Sequence, residues 1–131
     1  MDDRFNVIVS AGSLKVTDEH AVHFPHRWTP EGVSVRADFT GGHLLHLAAA
    51  GCVLNDLYRE AAPLGIELLG VRVSAAGGFD IESWRSTGIT YTVDVSSTAS
   101  AESIAHLIDI VDSVAEIPRA IRRGATVQRI S

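Results

Sequence analysis

Two hydrophobic periods divide this chain. Over residues 33–39, Val33, Val35, Ala37 and Phe39 alternate with Ser34, Arg36 and Asp38, a period of two that predicts a strand with one buried face. The same alternation recurs over 88–95, where Ile89, Tyr91, Val93 and Val95 interleave with Thr90, Thr92 and Asp94. Shorter β-type segments are predicted at 5–9, 14–17, 21–24 and 67–75, with a turn at Ala11-Gly12-Ser13 and a loop carrying Gly77, Gly78 and Trp84. A closing strand is predicted over 126–130.

Between these runs the spacing becomes helical. Residues 42–62 contain no proline, few β-branched side chains and many alanines and leucines, which predicts a long helix starting near Thr40 and stopping at Pro63 and Gly65. Its first half, 44–54, is apolar nearly all round apart from His46, so it is expected to be buried on most sides. A second helix is predicted over 101–115, with Ser100 as N-cap, Glu102 in the first turn, and Ile104, Leu107, Ile108, Val111 and Val114 on its apolar face. Pro118 either ends that helix or opens a short further turn. Strands grouped into runs, without strict βαβ alternation, predict an α+β fold built on an antiparallel sheet. At 131 residues, one domain spanning 1–131 is expected.

Composition narrows the function. Hydrophobic residues make up 46% of the chain, an apolar leaning that a partner subunit could cover. Sixteen acidic against 11 basic side chains give a net charge of -5, and the only close basic group is Arg119, Arg122 and Arg123. Non-specific nucleic-acid binding, which needs a basic stripe, is therefore not expected. The apolar stretch 44–54 is far shorter than the roughly 20 residues of a membrane span. The opening Met-Asp-Asp-Arg leads into no apolar signal segment, so a cytoplasmic location is expected. No cofactor is expected.

One cysteine, Cys52, carries the most pointed chemistry. Alone, it rules out an intramolecular disulfide and any Cys-x-x-Cys or Cys/His zinc pattern. On a regular helix Asp56 lies one turn beyond it and Arg59 two turns beyond. Asp56 would oppose a thiolate and Arg59 would favour one, so an inert packed thiol and a reactive one both stay open. Five of the six histidines fall between His20 and His46. His20, His23 and His26 are read as polar strand and loop positions, because a strand would send them to alternating faces. His43 and His46, three apart on the helix, could share a face and hold a metal with a third ligand, or serve as polar partners and packing groups; no metal is expected. Trp28 and Trp84 are read as core or interface anchors that could line a pocket.

The segment His43-Leu44-Leu45-His46-Leu47-Ala48-Ala49-Ala50-Gly51-Cys52, followed by Gly65-Ile66-Glu67-Leu68-Leu69-Gly70-Val71-Arg72-Val73, resembles the signature of the OsmC/Ohr family. The likeness runs over roughly residues 20–131. It implies an intertwined homodimer of α+β subunits with the cysteine helices central, and a thiol-dependent reductase of organic hydroperoxides serving peroxide defence. In that family the thiolate becomes a sulfenic acid and is recovered by a second cysteine. Relatives with two thiols carry Cys-Pro where this chain has Ile117-Pro118. The family's glutamate position falls at Gly42, with His43 beside it, and the matching arginine is displaced, Arg27 and Arg36 being the nearest basic candidates. The resemblance thus implies Cys52, with His43 and Arg27 as candidate partners, turning over with an external thiol reductant. The different-class alternative is a non-catalytic module of the same fold that binds a small apolar or acyl ligand, with Cys52 structural.

Overall fold

The computed structural model describes residues 5–131. Five strands, β1 (Val7–Gly12), β2 (Val22–Phe24), β3 (Val33–Arg36), β4 (Leu68–Phe79) and β5 (Ser86–Ser97), join three helices, α1 (Gly41–Ala61), α2 (Ala101–Val114) and α3 (Glu116–Arg123). The strands form one sheet in the order β2-β3-β1-β4-β5, and every neighbouring pair is antiparallel. This is the α+β architecture that the strand and helix runs predict.

α1 packs along β1 and β4. Val7 and Val9 of β1 and Val71, Val73 and Ala75 of β4 meet Ala50, Val53, Leu54 and Leu57 of α1, while α2 closes the cluster with Leu107 and Val111. Register aligns the two central strands, Val9 opposite Val73. Burying each large aliphatic side chain here contributes about 1.5–3 kcal/mol, which makes α1 the element around which the molecule is built.

The ends of α1 follow from its sequence. Thr40, in extended conformation, accepts the His43 N–H on its hydroxyl at 3.1 Å. At the other end a 3₁₀ turn (Ala62–Leu64) holds Pro63, and Gly65 adopts φ +66, the left-handed geometry that stops a helix. Ser100 caps α2 in the same manner as Thr40, accepting the Ser103 N–H.

Several expectations are corrected. β1 runs on to Gly12, so the turn sits at Ser13 and Leu14, and residues 14–17 form no strand. β3 ends at Arg36; Phe39 is 89% exposed, and Ser34 is buried because its hydroxyl donates to the Val16 carbonyl. Gly77 and Gly78 belong to β4, where the chain needs the close approach that glycine allows. A β-carbon on Gly77 would lie 2.5 Å from His46 Nε2 and closer still to the Gly88 carbonyl oxygen. Residues 126–130 pair with no strand among the described residues, leaving Val127 and Ile130 over nine-tenths exposed. Strand-forming side chains make a strand only where an unpaired edge is within reach, and the chain leaving α3 meets none.

Candidate active site

Cys52 lies on the buried side of α1, and the turn between α2 and α3 closes over it. Ala115 is buried, so the first residues of α3 arrive beside the thiol. Sγ stands 3.9 Å from Asp56 Oδ2 and 3.8 Å from Glu116 Oε2, with the thiol donating. The Ile117 backbone N–H also points at the sulfur. The fold itself thus brings the backbone of Ile117 to Cys52.

Arg59 ties the two carboxylates together. Its guanidinium reaches Asp56 Oδ2 at 3.0 Å, Glu116 Oε1 at 2.9 Å and Glu60 Oε2 at 3.6 Å. Asp56 is 2% exposed, whereas the Glu116 side chain is 65% exposed. Burial, the larger influence, and the charges of Asp56 and Glu116 push the Cys52 thiol up, against the Ile117 N–H, which pulls it down. The resting sulfur is therefore a protonated thiol. Burial likewise pushes Asp56 up despite Arg59, while the bond from Arg59 holds Glu116 below the usual glutamate range.

His43, one of the two other sequence candidates, lies well away from Cys52 along α1. His43 sits nine residues earlier, about 13.5 Å along the helix axis at 1.5 Å per residue. It bonds to the Thr40 hydroxyl at 2.7 Å, faces Asp38 at 3.8 Å and packs edge-on against Phe5. Arg27 lies over the Trp28 ring, 5.7 Å from its centroid, and lines a groove together with Gly51 and Asn55 of α1. His46 is fully buried, its Nδ1–H donating to the Gly42 carbonyl at 2.6 Å, so the two helix histidines are engaged separately. Trp28 lines a groove of about 400 Å³ with Phe24, His26, Leu47 and Gly51, whereas Trp84 is largely exposed.

Asp56 and Arg59 were visible from their helical spacing, but Glu116 was not singled out. The signal existed: if Ile117 occupies the place of a second thiol, its chain neighbour must lie near the first. A cavity of about 300 Å³ is lined by Ala49, Ile89, Tyr91, Pro118 and Ile121, with Ser86 and Arg122 also on its wall. Ala49 is one turn before Cys52 and Pro118 follows Ile117, but Cys52 itself does not line this space. Its wall is braced by Asp112, which accepts from the Tyr91 hydroxyl and from Arg122 Nη2 at 3.1 Å.

A thiol on a central helix, covered by the start of a later helix and backed by an antiparallel sheet, defines an α+β thiol protein. The profile of the OsmC-like protein family matches residues 34–129, and the chain belongs to that family. Among solved structures, an OsmC-like hydroperoxide resistance protein from Jannaschia sp. CCS1 is similar with a TM-score of 0.52 and 13% identity, over 96% of this chain and 93% of its own. The OsmC-like protein from Mycoplasma pneumoniae is similar with a TM-score of 0.59 and 13% identity, over 93% and 89%. At that identity the likeness is one of fold. No curated protein sequence matches the chain. No helix among the described residues is long and apolar enough to cross a membrane.

Proposed function

We propose that this protein reduces organic hydroperoxides through Cys52 as a single thiol, with an external thiol returning the oxidised sulfur to its resting state. The observation that supports this reading most directly is the position of Sγ, within 4 Å of two carboxylates and under the Ile117 N–H, at the place where family members carry their reactive sulfur. The cavity between Ala49 and Pro118, with Ile89 and Ile121 on its wall, suits the carbon skeleton of an organic peroxide better than hydrogen peroxide. With Ile117 at the place of a second thiol, turnover passes to a small thiol or a thiol protein outside the chain. The working unit in this reading is a homodimer. Leu44, Phe24, Trp28 and the tail residues Val127 and Ile130 offer apolar surface for a second copy, which light scattering reads as twice the chain mass.

The test is mass spectrometry of the reduced protein after brief exposure to an organic hydroperoxide, with a sulfenic-acid trap present and Cys52→Ser as control. Selective trapping at Cys52 is expected. A thiol that stays untouched until the protein is unfolded would sink the reading.

A further inference from the structure

A protonated, buried thiol is a poor nucleophile, so attack on a peroxide needs a group to take its proton. Resting on the peroxide reading above, we propose that Asp56 is the general base that accepts the Cys52 proton and returns it to the departing alkoxide. Asp56 follows Cys52 by four residues, so both side chains leave α1 on one face. Its Oδ2 is 3.9 Å from Sγ, a reach that catalytic hydrogen bonds shorten when substrate arrives. Arg59 at 3.0 Å fixes the carboxylate's orientation, and its burial keeps the proton from being lost to bulk water.

Two carboxylates compete for this role, and the structure separates them. Glu116 is exposed and its charge is held by Arg59, which makes it the weaker base. Asp56 is buried and its proton affinity is pushed up by desolvation, whereas that of Glu116 is held down. The charged groups that face Asp56 are Arg59 and Glu60 from α1 and Glu116 from α3; the side chains that the sheet and α2 bring to the core beside it are apolar.

The step balances without a further reagent. The S–H bond breaks and its proton passes to the Asp56 carboxylate. The freed electron pair on Sγ attacks the terminal peroxide oxygen, an S–O bond forms and the O–O bond breaks. Sulfur is oxidised by two electrons, the peroxide is reduced to an alkoxide, and that alkoxide recovers the proton from Asp56. The products are a cysteine sulfenic acid and an alcohol.

The experiment is the rate of sulfenic-acid formation with tert-butyl hydroperoxide across the neutral pH range, in the full chain and in Asp56→Asn, Asp56→Glu and Glu116→Gln. With an internal base the unaltered protein has a flat profile there, because the reacting proton passes within the Cys52–Asp56 pair instead of being exchanged with water. In Asp56→Asn only preformed thiolate reacts, so the rate climbs about tenfold per pH unit below the thiol pKa. Asp56→Glu restores the flat profile, and Glu116→Gln keeps its shape whatever the absolute rate. A flat profile in Asp56→Asn overturns the proposal, as does a sloping profile confined to Glu116→Gln, which would move the base to Glu116. Absence of any reaction at Cys52 in the unaltered protein overturns the peroxide reading itself, an outcome distinct from both.

Discussion

At Gly77 a single hydrogen atom decides whether α1 can rest on the sheet. The His46 ring, stacked on Phe5 and fully buried, meets β4 at a position without a side chain, and the Gly88 carbonyl presses from the neighbouring strand. Gly77→Ala must displace either an imidazole or a strand, and overpacking of this kind costs about 1–3 kcal/mol. The expected result is a lower urea midpoint with an unchanged slope, and an unchanged midpoint would show that the β4–β5 pair yields freely. This glycine also marks where sequence reading went astray. A Gly-Gly pair commonly signals a turn, and only the position of a histidine 31 residues earlier reveals that it is a contact. Glu116 escaped for the same reason, since its meaning depends on a sulfur 64 residues away.

Elements were legible where local rules act alone. α1 shows this: the Thr40 cap, the alanine and leucine content and the stop at Pro63 and Gly65 are all local, and the helix lies within a residue of its expected bounds. Thr40→Ala removes the hydroxyl that receives the His43 N–H, and loss of such a cap costs about 1 kcal/mol. Denaturant unfolding should show that loss, while Thr40→Ser or Thr40→Asp retains most of the stability. Residues 126–130 show the opposite case. Their composition suits a strand, but strand formation depends on a partner edge that composition does not disclose. Ser34 likewise broke its alternation because a hydroxyl with a partner, the Val16 carbonyl, is as content inside as a valine.

For the molecule as a whole, the buried thiol links stability to alkaline pH. Its folded pKa lies above the ordinary 9.0, so above pH 9.0 the unfolded chain releases a proton that the folded chain keeps. The contribution is complete below pH 9.0 and is lost as pH rises through the folded value, with a limiting slope of about 1.4 kcal/mol per pH unit. Tyr91, its phenol pushed up by burial and by Asp112, adds a second loss that begins above 10.0. Unfolding free energy should therefore fall on crossing pH 9.0, and Cys52→Ser should remove the earlier part of the fall while leaving the later one. Equal slopes in the two proteins would mean that the thiol titrates normally in the folded state.

Asp112 gives the arrangement a lever. One exposed carboxylate on α2 receives Tyr91 from β5 and Arg122 from α3, so the far end of α3 is clamped while its near end shields the sulfur. The near end is held as well, by Glu116 on Arg59, so α3 is pinned at both ends. The cover over Cys52 is thus secured twice, once beside the sulfur and once through a carboxylate that never touches it.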